Sequence, residues 1–441
     1  MTDDDLEIHL IADSTGETAA RIARAAVAQF PSRDFTLVRH RRVTTPEALV
    51  TALDAVRARE GRPTAVLFTF VSANRAKVAA QACAEMGVPY ADLMTDAVAA
   101  LRTISGTEPD RVPLFLLLTE HGARELGLSI EAYFSCAEYV IEGQLRLHRK
   151  YRTDCLYAFY YASIEVEAWG GSTLFIEDGP PLCAGPIIRS PAQIDSLQAP
   201  AITEAAGLGR VLDTIRGLKA QVGDTVPIIG VAISPFSLPV MQMGFDHYLD
   251  LIHEQPARFE HLMAANIEFT VEWANAQLDA GATAICYFDP VSSTTSIPRE
   301  LYLTTGMDVA RRVLPRIKGP TATHMASGRV MPILGDIADT GTAIVGVSAL
   351  EDLAELKAVA HGRVTLLGNL NGIEMRRWTP AQAEFAVKQA IAKAGRGGGF
   401  LLGENHGEVP YLVPDEVLLA ISAAAERWGR YPLDWVEAWQ K

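Results

Sequence analysis

The sequence predicts an α/β chain in which a (β/α)8 TIM barrel follows a small N-terminal α/β domain. Three observations carry that expectation. Residues 6–105 alternate short β-rich runs with helical patterns, the rhythm of a small parallel sheet. The polar stretch Ser105-Gly-Thr-Glu-Pro-Asp-Arg111 then interrupts the pattern and places a linker at 106–111. From 112 to 441, eight apolar strand-like runs are separated by longer helical patterns, the count a barrel with insertions requires.

In the first block the strands are expected at Leu6 to Ala12, Thr36 to Val43, Thr64 to Val71 and Val88 to Leu93. Helices are expected near Glu17 to Phe30, Pro46 to Glu60 and Arg75 to Met86. The turn Asp13-Ser14-Thr15-Gly16-Glu17-Thr18 joins a strand to a helix, so it reads as a helix cap or as a set of N–H groups for an anion. No G-x-x-x-x-G-K-[ST] occurs, so nothing supports a P-loop kinase. The barrel strands are expected at Pro113 to Thr119, Cys155 to Tyr161, Pro227 to Ile233, Thr283 to Asp289, Thr321 to Met325, Ala343 to Val347, Val364 to Gly368 and Gly399 to Glu404.

The composition narrows the function. With 441 residues, 49% hydrophobic and 21% charged, the chain buries a full core and is not disordered. The net charge of −14 and the absence of any basic run beyond Arg39-His40-Arg41-Arg42 exclude a nucleic-acid footprint. Five widely spaced cysteines, odd in number and without C-x-x-C, form neither a disulfide framework nor a thiolate zinc knuckle. The acidic start Met1-Thr2-Asp3-Asp4-Asp5 and the lack of any apolar stretch of about 18 residues predict no membrane partner and a cytoplasmic location. A homo-oligomer is left open.

Active sites of such barrels lie at the C-terminal strand ends. These ends carry Glu120-His121, Tyr160-Tyr161, Ser234, Asp289, His324, Asn369, Asn371, Glu404 and His406. If strand eight continues to His406, its period of two turns Glu404 and His406 to one side. With His324 from another strand they form a candidate zinc site, since imidazole nitrogens and a carboxylate are the ligand types of an open catalytic centre. The competing reading is of hydrogen-bonded rim histidines, because no H-E-x-x-H spacing is present. Asp289 ends an apolar strand, where a carboxylate reads as an acid, a base, a ligand or a structural cap. Glu120 and His121, if in a strand, face opposite sides.

The second block resembles the uroporphyrinogen decarboxylase superfamily, which includes cobalamin-dependent methyltransferases. The resemblance covers about 110–435 and rests on Asp110-Arg-Val-Pro113, Glu165-Val-Glu-Ala-Trp-Gly170, Ser234-Pro-Phe236, Asp289-Pro-Val-Ser-Ser293, Gly368-Asn-Leu370 and His406-Gly-Glu-Val-Pro410. It implies a TIM barrel with its pocket at the C-terminal rim. The decarboxylase branch implies an Arg pair near the first strand and an Asp near the end of the second. Glu120-His121 and Tyr161 stand there instead, although His406 matches a histidine before Gly. The thiol-directed methyltransferase branch implies zinc on a His-x-Cys pair and a later Cys. Here His324-Met325-Ala326 keeps the histidine alone, and His406 stands where the later Cys belongs. The first block resembles the N-terminal part of the phosphoenolpyruvate synthase regulatory proteins, a kinase/pyrophosphorylase family, through His9-Leu-Ile-Ala-Asp-Ser-Thr-Gly-Glu-Thr-Ala19 and Ala23-Arg-Ala-Ala-Val-Ala-Gln-Phe30. That family's P-loop half is absent, which leaves a docking, oligomerisation or sensing module.

Together these resemblances imply a methyltransferase that moves a methyl group between a small methylated substrate and a corrinoid on a separate partner protein. Zinc on His324, His406 and Glu404 or Asp289 would polarise the substrate heteroatom. Tyr161, His121 and Asn369 would orient the substrate, and His406 and Asp289 would serve as catalytic groups. The alternatives are a metal-free decarboxylase or lyase using His406 and Asp289 for proton transfer, and a ligand-sensing regulator.

Overall fold

The computed structural model describes residues 6–12, 20, 23, 35–59, 62–70, 73–92 and 96–439. The chain divides into two compact units, Met1–Ala99 and Ala100–Lys441. In the first, a parallel sheet runs in the order β2-β1-β3-β4, from β1 (Leu6–Ala12), β2 (Phe35–His40), β3 (Thr64–Thr69) and β4 (Tyr90–Asp92). Strand alternation gives the sheet two faces. Ile8 and Leu10 pack with Ala20 and Ala23, while Ile11, Val66 and Phe68 pack with the helices Pro46–Arg57 and Ala73–Glu85. The first of these helices starts at Thr45, whose side chain accepts from the Ala48 N–H, with Pro46 at its first position. The expected helix from Glu17 to Phe30 and the turn at 13–18 lie outside the described residues, apart from Ala20 and Ala23, which are helical.

The second unit is the TIM barrel. All eight expected strands are present: β5 (Leu114–Phe115), β6 (Leu156–Tyr157), β9 (Ile228–Ile233), β10 (Ala284–Phe288), β11 (Thr321–His324), β12 (Ile344–Gly346), β13 (Thr365–Leu370) and β14 (Phe400–Glu404). They form one parallel sheet, β5-β14-β13-β12-β11-β10-β9-β6. The seam between β5 and β6 is bridged by Asp154. Its N–H donates to the Leu114 carbonyl at 2.8 Å, and its carboxylate accepts from the Leu114 N–H at 2.6 Å and from Arg111 at 2.5 and 2.6 Å.

Inward-pointing Phe115, Leu117, Tyr157, Val231, Cys286, Ala322, Ile344, Leu367 and Leu401 fill the barrel, with Ala100 and Ile104 of the helix Asp96–Ile104 packed among them. The alternate residues face the surrounding helices in a second, larger core. Gln277 of the long helix Pro256–Ala280 holds β9 from outside, accepting from the Val231 N–H at 3.0 Å and donating to its carbonyl at 2.7 Å. Gln144 does the same for the first two strands, accepting from the Tyr157 N–H and donating to the Leu118 carbonyl. A hairpin of β7 (Thr173–Leu174) and β8 (Leu182–Cys183) follows β6 in the chain. All five cysteines are free, and among the described residues no helix is long and apolar enough to cross a membrane.

Candidate active site

The turn after β14 shapes the barrel mouth. It departs from the sequence expectation, because β14 stops at Glu404 and the chain folds back rather than extending to His406. Glu404 causes the fold: its carboxylate accepts from the His406 N–H and, at 2.9 Å, from the Gly407 N–H. The Tyr157 hydroxyl, rising from β6, donates to the Gly407 carbonyl at 2.8 Å. Gly407 sits at φ +93°, and a Cβ there would lie 2.5 Å from a Phe288 ring carbon. The turn therefore needs glycine both for its backbone and for its approach to the barrel interior.

Beneath this turn opens a cavity of about 450 Å³, lined in part by Tyr157, Phe159, Tyr161, Met241, Phe288 and His406. Pro180, Leu182 and Cys183 of the hairpin region complete one wall, and Glu408 adds a carboxyl. Among the described residues, no Lys or Arg lines it.

Glu408 and Glu120 share one hydroxyl. The Thr119 Oγ1 lies 3.1 Å from an oxygen of each. A hydroxyl has a single proton to give, so it donates to one carboxyl, and the second contact is a hydrogen bond only if that carboxyl brings its own proton. Burial pushes both carboxyls up, and the neighbouring Glu408 charge raises Glu120 further. The pair therefore keeps a proton at neutral pH.

The two histidines meet different surroundings. His406 is half-buried at the cavity wall, with its Nδ1 2.5 Å from the Ser327 hydroxyl. His324 points into the barrel, stacked on Phe288 with ring centroids 5.8 Å apart. It fits because β12 carries Gly346 at the facing inward position, where a Cβ would fall 2.4 Å from the ring. The His324 Nδ1 accepts from the Ala326 N–H at 3.0 Å, which puts the neutral ring's proton on Nε2. Burial pushes His324 down to about 4, so the ring is neutral.

This geometry does not fit the expected zinc set. The His324 Nε2 presents an N–H rather than a lone pair, Glu404 turns both oxygens to its own turn, and among the described residues no three His, Cys, Asp or Glu side chains gather as a ligand set. His324 and Glu404 act as supports of the mouth.

The structure separates the remaining expected site residues. Tyr161 lines the cavity, its hydroxyl donating to Glu167 at 3.2 Å. Asp289 lies away from the cavity lining. It is buried, accepts from the Ser234 and Ser237 hydroxyls at 2.5 and 2.7 Å, and so clamps the turn after β9. Asn369 donates to the Ser348 and Glu351 carbonyls at 2.8 and 3.2 Å, securing the β12 loop. His121 is not in a strand. It opens the helix His121–Leu126, buried with its ring 6.1 Å from that of Tyr411, and burial pushes it down to about 3. Glu120 was singled out from the sequence only as a strand-end residue beside His121, and Thr119 and Glu408 were given no role, although Glu408 stands inside His406-Gly-Glu-Val-Pro410.

Comparison with known proteins agrees with this architecture. The family model for uroporphyrinogen decarboxylase matches residues 95–428, which is most of the chain. The chain belongs to the uroporphyrinogen decarboxylase family. Two relatives bearing that enzyme's name come from Methylococcus capsulatus, 27% identical over 66% of this chain and 84% of the relative, and from Mycobacterium ulcerans, 26% identical over 71% and 93%. A solved methyltransferase from Methanosarcina mazei shares the fold with a TM-score of 0.69 and 21% identity, covering 76% of this chain and 98% of that one.

The kinase/pyrophosphorylase model matches residues 8–123. A putative pyruvate, phosphate dikinase regulatory protein from Cutibacterium acnes is 44% identical over 115 residues, 26% of this chain. The match spans 39% of that relative's length.

Proposed function

We propose that this member of the family is a methyltransferase that takes a methyl group from the heteroatom of a small, uncharged substrate, with a corrinoid on a partner protein as methyl acceptor. The observation that carries the reading is the cavity itself: aromatic and aliphatic walls, no cationic side chain in its lining, and a proton-holding carboxyl pair at one edge. A polycarboxylate tetrapyrrole would bring several negative charges to a cavity with no cation in its lining to receive them.

The chain's own residues supply acid catalysis in place of zinc. As the bond between heteroatom and methyl carbon breaks, Glu408 gives its proton to the heteroatom, which leaves as a neutral hydroxyl or thiol. Thr119 holds Glu408 in reach, and a proton taken up from water restores the Glu408–Glu120 pair after the product leaves. His406, oriented by Ser327, stands at the same wall as a hydrogen-bonding group. The corrinoid supplies a nucleophile for the methyl carbon. The small domain is read as a docking or sensing module for a partner.

The test is a panel of O- and S-methylated compounds incubated with the protein and reduced cobalamin, read by the absorbance of methylcobalamin. Turnover that falls at least about 100-fold in Glu408→Gln supports the reading. Release of CO2 from uroporphyrinogen, with no methyl transfer across the panel, sinks it in favour of the decarboxylase that the names of the Methylococcus and Mycobacterium relatives suggest.

A further inference from the structure

A second cavity of the barrel unit, about 410 Å³, opens between the helix Ser163–Ala168 and the start of the helix Ala206–Val222. Ile164, Ala168 and Ala201 give it apolar walls, and Glu167, Glu204 and Arg210 bring charges of both signs. The Glu167 Oε1 accepts from the Tyr161 hydroxyl at 3.2 Å and from the Thr173 hydroxyl at 2.5 Å. Its Oε2 faces Gly207, where a Cβ would lie 3.1 Å away, so glycine keeps that oxygen open. The guanidinium of Arg210 stands beside the same Tyr161 hydroxyl, yet its buried Nε has no partner among the described residues.

A half-buried carboxylate and a half-buried guanidinium thus flank one hydroxyl without forming an ion pair with each other among the described residues. Each has given up water without gaining an opposite charge. A ligand that carries both an ammonium and a carboxylate supplies both partners at once. Glu204, exposed at the rim, is a further acceptor for an ammonium, which has three protons to donate. A simple anion would meet two carboxylates here, and a simple amine would meet the guanidinium, so neither matches the lining as well. The apolar walls suit an aliphatic side chain.

We propose that this cavity is an effector site for an aliphatic amino acid, bound as its zwitterion, whichever reaction the barrel cavity carries out. Its carboxylate lies on Arg210 and its ammonium between Glu167 and Glu204. Occupancy acts on the barrel cavity through Glu167. The same carboxylate holds Tyr161, which lines that cavity, and Thr173, which opens the hairpin whose Leu182 and Cys183 form one of its walls. A ligand that fixes Glu167 therefore steadies this wall.

The experiment is calorimetric titration of the full chain at pH 7 with L-leucine and, separately, with 4-methylpentanoate, which lacks the amine, and 3-methylbutylamine, which lacks the carboxylate. Leucine is expected to bind at least about tenfold more tightly than either. Arg210→Gln, and independently the exposed Glu204→Gln, should each weaken leucine while leaving the fold intact by circular dichroism. Leucine should also slow hydrogen exchange in the hairpin strands Thr173–Leu174 and Leu182–Cys183. Equal binding of the three compounds, no leucine binding at millimolar concentration, or an affinity unchanged in both variants overturns the site. Binding that leaves hairpin exchange unaltered overturns its effector role.

Discussion

Gly346→Ala tests how the barrel mouth is packed. The added methyl would lie 2.4 Å from Cδ2, 2.7 Å from Cγ and 2.8 Å from Nε2 of His324, inside van der Waals contact with three ring atoms. The ring is held on two sides: Phe288 stacks on it, and the Ala326 N–H fixes its Nδ1. Overpacking of this kind costs about 1–3 kcal/mol. Losing the Ala326 hydrogen bond adds about 1 kcal/mol, giving a loss of roughly 2–4 kcal/mol. The six tryptophans all lie in the barrel unit, so urea unfolding followed by indole fluorescence reads that unit alone. His324→Ala should remove the obstacle, so adding Gly346→Ala in that background should cost little, a strongly non-additive cycle. A Gly346→Ala protein within about 0.5 kcal/mol of the parent, or additive costs in the double variant, would refute the packing argument.

Other expectations follow from the same contacts. Asp154→Ala should destabilise the barrel by about 3–5 kcal/mol in urea, because it removes the buried carboxylate that accepts from both Arg111 and the Leu114 N–H at the β5–β6 seam. Burial pushes Glu404 up to about 8 from 4.5, so the folded state holds its proton more tightly than the unfolded state. Its stabilising contribution is complete below pH 4.5 and is lost as pH rises through about 8, and Glu404→Gln should make the alkaline decline in stability shallower. Lys388 places its ammonium 4.0 Å from the ring centroid of Trp428, 5.3 Å from Trp435 and 5.2 Å from Trp439. Lys388→Gln should loosen the C-terminal helix Trp435–Trp439 by about 1–2 kcal/mol in hydrogen exchange, and Lys388→Arg should not.

The eight barrel strands were legible because each is a short apolar run whose alternation serves two cores. Leu366, for example, faces the helices while Leu367 faces the barrel interior. The family, too, could be read from motifs such as Ser234-Pro-Phe236 and His406-Gly-Glu-Val-Pro410, since they sit at fixed places along that strand series. Residue type was a poorer guide to role. Asp289 and Asn369 have the chemistry of catalytic groups, yet their hydrogen bonds go to neighbouring rim loops. The zinc expectation failed on direction: the period of two for Glu404 and His406 holds only in an extended strand, and backbone N–H groups drawn to the Glu404 carboxylate end that strand.

The sequence by itself determined the order of elements, the apolar faces and the acidic, unbridged character of the chain, because these depend on local pattern and composition. Tertiary structure alone decided that Thr119 meets Glu408 across 289 positions, that Gly346 makes room for His324, and that His9 meets His40 across 31. Those contacts arise from sheet register and from a turn folded over the barrel mouth. They also set which carboxyls lose their water and keep a proton, a property that no local stretch of sequence encodes.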